Sequence, residues 1–210
     1  VQTNTPKKDL RSLQTLMTFP LNFMNDNTIQ LVQYLEQFPM LFPELKKEVP
    51  WNIPSRLEGF LRDMIKGLSA DFQVNGEVAI HKTAKIEDYV TLKGPMIISA
   101  GSFVGAHAYL RGGVFLGPGC EVKSSIIMRK SALAHFNFVG DSLIGSEVNF
   151  EAGSIIANHF NERSDKTIYA LINGKKTPVG VTKFGAIVGD QSKVGANAVL
   201  SPGTVLLPQS

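Results

Sequence analysis

Cysteine is nearly absent. Cys120 stands alone among 210 residues, which excludes an intrachain disulfide and is compatible with a reducing compartment. Charge is sparse as well. Asp, Glu, Lys and Arg make up 19% of the chain and the net charge is +3, with no run of Lys or Arg dense enough to track nucleic acid. No apolar run approaches the length that spans a bilayer, so no membrane span is expected. Residues 1–40 hold no h-region of a secretory signal, and a cytoplasmic location is the expectation. The histidines are scattered at His81, His107, His135 and His159. No two lie near enough for a metal-ligand pair, so metal: none is expected.

Aliphatic residues, by contrast, recur at a fixed interval. From Val74 the series runs through Ile80, Ile86, Leu92, Ile98, Val104, Leu110, Leu116 and Val122. It continues through Ile127, Leu133, Val139, Ile144, Phe150 and Ile156, and resumes at Val188, Val194, Leu200 and Leu206. A step of five or six residues is neither an amphipathic helix nor a simple alternating strand. It is the mark of a parallel β-helix of hexapeptide repeats, each phase residue pointing inward and small residues making the corners. Gly140, Gly145 and Gly153 read as corner residues of this kind.

The organisation that follows is a helical N-terminal cap over residues 1–69 and a β-helix over 70–210, with a loop insertion at 158–183. Residues 1–27 carry little pattern. Ile29, Val32, Leu35 and Phe38 are spaced by three and predict a short helix. Pro39, Pro43 and Pro50 punctuate the next stretch, and Pro54-Ser55 opens a second helix. Its stripe of Leu57, Phe60, Leu61, Met64, Ile65 and Leu68 must pack on something, most simply the first coil. Residues 158–183 lose the phase, and Asn173-Gly174 predicts a small hairpin there.

Some strings go beyond the period. LAHFNFVGDSLIGSEVNFEAGSIIAN at 133–158, AYLRGGVFLGPGCEVKSSII at 108–127 and KFGAIVGDQSKVGANAVLSPGTVLLP at 183–208 resemble the acetyltransferase half of the bifunctional N-acetylglucosamine-1-phosphate uridyltransferases. The lead-in PWNIPSRLEGFLRDMI at 50–65 is similar to that of their sugar-nucleotidyltransferase-like relatives. The resemblance implies an all-β, left-handed parallel β-helix assembled as a homotrimer, using acetyl-CoA to acetylate an amino sugar phosphate such as glucosamine-1-phosphate. Nothing in residues 1–70 resembles the nucleotide-binding loop of the uridyltransferase half, so no nucleotidyltransferase domain is expected within this sequence.

Residue by residue, His135 matches the family's catalytic base, a role suited to an imidazole that titrates near neutrality. An isolated histidine there would read as a corner or interface residue. Glu121 matches the carboxylate that orients the base, or a solvated corner charge. Arg111 and Lys123 match the residues that grip the sugar phosphate, a planar fork and a point charge. Asn149 matches the sugar-binding asparagine, although asparagines also stack in ladders along β-helices. Asn158 matches an asparagine at the acetyl-transfer site that also meets coenzyme A.

Two positions depart from the family pattern. Phe138 stands where the substrate site has a Tyr whose hydroxyl touches the phosphate. Ala196 stands at the cofactor-binding position where bacterial members have a Ser that polarises the thioester. The basic C-terminal extension of bacterial members is not expected within this sequence. These departures leave open an O-acyltransferase on another sugar or sugar nucleotide, and a catalytically silent trimeric scaffold.

Overall fold

The computed structural model describes residues 29–106, 109–111 and 119–210, without the side chains of 109–111. The expectations for residues 1–28, for His107 and Leu116, and for the side chains of Leu110 and Arg111 lie outside the described residues.

The hexapeptide period forms what it implies, a parallel β-solenoid of about six turns. Ile80 pairs with Ile98, Lys85 with Phe103 and Leu92 with Leu110. Further on, Ile127 pairs with Ile144, Leu133 with Phe150 and Val139 with Ile156. One side of the triangular cross-section is a six-stranded parallel ladder. It contains, in order from the N-terminal end, Thr91–Lys93, Tyr109–Arg111, Glu121–Lys123, Phe138–Gly140, Ile155–Ile156 and Val199–Leu200. A second side carries Ile126–Ile127, Leu143–Ile144, Ala186–Val188 and Thr204–Leu206. The third carries Ala132–Leu133, Asn149–Phe150 and Lys193–Val194.

Most phase residues in the middle coils are buried, from Ile98 and Val104 through Val122, Leu133, Val139, Ile144, Phe150 and Ile156 to Val188 and Val194, whereas Ile127 is only partly buried. Those of the first and last coils, such as Ile86, Leu92, Leu200 and Leu206, are only partly buried, because the end of a solenoid has a neighbour on one side alone. Val74 departs from the expectation and is 47% exposed. It sits on the antiparallel leg Phe72–Asn75 of a hairpin with Val78–His81, outside the first parallel pair.

Corners are made by residues with positive φ, stacked coil upon coil: Ser124 with Asp141, Lys130 with Glu147 and Gln191, and Phe136 with Gly153 and Asn197. Serines next to two of these corners satisfy the backbone as they turn. Ser142 Oγ donates to the Gly140 carbonyl and accepts from Ala186 N, and Ser131 Oγ donates to the Gly145 carbonyl and accepts from Val148 N.

A second core lies outside the solenoid. On the side built from Ile126–Ile127, Leu143–Ile144 and Ala186–Val188, the outward residues Ile126, Leu143 and Ile187 are buried too. They are covered by the N-terminal segment through Leu35, Phe38, Trp51, Ile53, Leu57 and Leu61, and by Ile168, Ala170, Ile172 and Val179 of the insertion. The helix Ile53–Lys66 runs from Pro54 in its first turn to Gly67 at its C-cap, close to the sequence expectation. The expected helix near residue 30 is instead a 3-10 turn, Leu31–Gln33, followed by a short helix, Phe38–Leu41. Pro39 is the reason: with no N–H it cannot bond back to the Leu35 carbonyl, so one continuous helix is broken. Phe38 N donates to that carbonyl instead, at 3.1 Å.

The insertion displaces the coil register to 44 residues, against 17 in the coils immediately before it. It contains the expected hairpin, Tyr169–Ile172 paired with Lys175–Pro178, turning at Asn173 and Gly174, both with positive φ.

Candidate functional site

Of the hydrophilic residues singled out by the sequence, Arg111, Glu121 and Lys123 lie on strands of the six-stranded side, His135 and Asn158 flank it, and Asn149 lies on the third side. His135 is exposed in the corner that leads from Ala132–Leu133 into Phe138–Gly140. The corner is fastened from below, where Gly153 N donates to the His135 carbonyl at 2.9 Å. Alternation along the strands then buries Val122 and Val139 and turns Glu121, Lys123 and Phe138 outward. Glu121 and Phe138 stand directly side by side, and Lys123 stands beside Gly140. Arg111 holds the position next to Lys123 on the preceding strand. The imidazole of His135 and the carboxylate of Glu121 make no side-chain hydrogen bond to each other among the described residues.

Asn149 lies around the His135 corner, exposed on the third side and in register with Ala132 and Lys193. Ala196 is exposed at the same corner as His135, two coils further on. Its N–H donates to Glu151 Oε2 at 3.0 Å.

Asn158 is buried at the opposite edge of the six-stranded side. The strand Phe138–Gly140 and its flanks separate the two edges, roughly 15 Å at the usual rise of a strand. There Asn158 belongs to a cluster that the sequence reading missed. Asp141, 6% exposed, accepts from Asn158 Nδ2 and lies 3.5 Å from Lys123 Nζ. His159 Nδ1 is 3.0 Å from Asn158 Oδ1. A buried carboxylate needs such partners, since taking a charge out of water costs several kcal/mol (about 3–5 if one partner of a pair is removed). Gly140 is what lets the cluster close: a Cβ there would sit 2.8 Å from Asn158 Nδ2 and 3.0 Å from the Phe138 ring. In the sequence Asp141 follows Gly140 in the string Val139-Gly140-Asp141, and nothing in the period marks its side chain as buried.

The side chain that could complicate thiol chemistry is out of reach. Cys120 is 1% exposed, and its Sγ lies 3.4 Å from Asn137 Oδ1. Burial pushes the thiol up, opposed by the backbone N–H groups of Asn137 and Phe136. Native protein should therefore show no fast reaction with an aromatic disulfide reagent at pH 8, and one equivalent in denaturant. Rapid labelling of the folded chain would contradict this packing.

No protein-family model matches the chain. Individual proteins do. It is 35% identical over 165 residues to the "Bifunctional protein GlmU" of Methanococcus vannielii, covering 73% of this chain and 39% of that protein. The chain is related to the GlmU proteins. A "Bifunctional sugar-1-phosphate nucleotidylyltransferase/acetyltransferase" of Sulfurisphaera tokodaii is 32% identical over 200 residues, covering 89% of this chain and 48% of the relative. The GlmU of Synechococcus elongatus is 33% identical over 141 residues, which are 62% of this chain and 27% of that protein. The chain thus spans less than half the length of these GlmU-type relatives.

Proposed function

We propose that this chain transfers an acetyl group from acetyl-CoA to the amine of an amino sugar phosphate, as the hexapeptide half of a GlmU-type protein. The observation that carries the reading is the joint occurrence of that relationship and the outward row of Glu121, Phe138 and Lys123 beside the His135 corner. His135 takes a proton from the neutral acceptor amine as its nitrogen attacks the thioester carbonyl. Glu121 orients the ring once the site is closed. Arg111 and Lys123 hold the sugar phosphate, and Asn149 meets the sugar. The tetrahedral oxyanion is stabilised by Asn158 and backbone N–H groups. Collapse breaks the C–S bond, and the leaving thiolate of coenzyme A takes up the proton.

Within one chain His135 and Asn158 are on opposite edges of a sheet side, so the site needs a second subunit to bring one of each together. The six-stranded side supports this arrangement, because its outward row becomes apolar and exposed toward the C-terminal end, with Ile155 at 37% and Val199 at 63%. Such residues with no cover in one chain suit a homotrimer with parallel axes. Ala196, at the His135 corner, would then border the acetyl-CoA channel. No described helix is long and apolar enough to cross a membrane, and a cytoplasmic site of action fits a substrate pair of this kind.

The test is acetyl-CoA with glucosamine-1-phosphate, following thiol release, together with sedimentation. Release dependent on the sugar, and a trimer at micromolar protein, are the expected results. Phe138 and Ala196 each lack the hydroxyl of the family pattern, and they favour an O-acyl acceptor if the amine is not used. A stable monomer that binds no acetyl-CoA would overturn both enzyme readings.

A further inference from the structure

Asn158 is anchored by its main chain. Its carbonyl accepts from Phe184 N at 2.9 Å, and Gly140 packs so closely on its side chain that a Cβ there would collide. What the main chain cannot set is which end of the side-chain amide points which way. The two ends are alike in size and opposite in chemistry, since Nδ2 carries two donors and Oδ1 only lone pairs. An oxyanion is steadied by the first and repelled by the second.

The neighbouring coil decides the orientation. Asp141 turns its corner with a φ of 47°, which Asp tolerates better than most residues. Its N–H donates to the Lys123 carbonyl and its own carbonyl accepts from Gly185 N, both at 2.9 Å. One carboxylate oxygen, Oδ2, faces both Asn158 Nδ2 and Lys123 Nζ. An ionised carboxylate only accepts, so Asn158 must turn an N–H to it. Oδ1 is then left for His159 Nδ1, 3.0 Å away, and the ring must donate through that nitrogen. Turning the amide over would set Oδ1 of Asn158 against Oδ2 of Asp141.

We propose that Asp141 is a positioning residue for acetyl transfer. It holds the Asn158 amide so that the second N–H of Nδ2 is free for the oxyanion, and His159 secures the other end. The catalytic role rests on the acetyl-transfer reading, whereas the orientation of the amide does not.

Nitrogen-15 spectra of the whole chain with labelled histidine, taken at about pH 8 where an ordinary imidazole is neutral, read the orientation without any substrate. His159, identified by the signal lost in His159→Gln, should be the Nδ1–H tautomer. Asp141→Ala should release it toward the Nε2–H tautomer that unconstrained imidazoles favour. An Nε2–H ring in wild type would overturn the orientation and the role of Asp141 with it. With acetyl-CoA and glucosamine-1-phosphate, Asn158→Ala should lower kcat about 10²-fold, the scale of one oxyanion donor. Asp141→Ala should lower kcat about tenfold in an otherwise wild-type chain, as a misplaced catalytic group does. It should change kcat by less than about twofold where Asn158 is already alanine, because its effect passes through that amide. A residue that only supports the fold costs the same factor in both backgrounds, and that result would overturn the proposal. So would a wild-type kcat in Asp141→Ala. If wild type acetylates no amino sugar phosphate, the acetyl-transfer reading falls and takes the catalytic role of Asp141 with it, while the spectra still decide whether Asp141 sets the amide.

Discussion

His135→Ala should lower acetyl transfer by about 10² to 10⁴-fold, the usual contribution of a positioned general base. The loss should fall on kcat, because the imidazole acts on the proton that moves during attack and adds little to ground-state binding. The fold should survive. His135 is exposed, and what the corner uses of it is the main-chain carbonyl that accepts from Gly153 N, which alanine retains. Steady-state kinetics with saturating acetyl-CoA, alongside sedimentation of the variant, separates the possibilities. Activity equal to wild type would remove His135 from the mechanism. Activity lost together with assembly would make it an interface residue, which is how a lone corner histidine reads.

Phe150→Ala should cost about 3–5 kcal/mol of folding stability, since it removes a large side chain and leaves a cavity that the coils cannot close. Phe150 is fully buried and stacked in register between Leu133 and Val194. Relaxation is limited, because the successive coils are bonded to one another at this position: Ala134 N donates to the Phe150 carbonyl at 3.0 Å and Glu151 N to that of Val194 at 2.9 Å. Urea unfolding at fixed protein concentration measures the effect. A loss under about 1 kcal/mol would mean that this position does not carry the interior. Val199→Ala is the contrast. At 63% exposure it should change the stability of the isolated subunit by no more than about 0.5 kcal/mol.

The interior of the solenoid was legible residue by residue. Phe150, Val139 and Ile144 were named from the period alone, since a strand two or three residues long has one inward position and must repeat it to build a core. The hairpin at Asn173-Gly174 was legible for a similar reason, because the turn needs positive φ and these residues tolerate it. The partnership of Asp141 with Lys123 and Asn158 was not legible. Its members are 17 or 18 residues apart and meet only because successive coils bring the same corner into register.

The sequence by itself determined which residues point inward, because that choice is local and repeats with the coil. It also contained the motif residues His135, Glu121 and Lys123. Only the tertiary structure decided what happens on the outside. Ile126, Leu143 and Ile187 have no periodic mark that sets them apart from exposed Ile155 and Val199, yet they are buried. The difference is that the N-terminal helices and the inserted hairpin are laid over one side of the solenoid and leave the six-stranded side open. That choice depends on contacts between segments distant in the chain. It is also what places His135 and Asn158 at opposite edges of the open side.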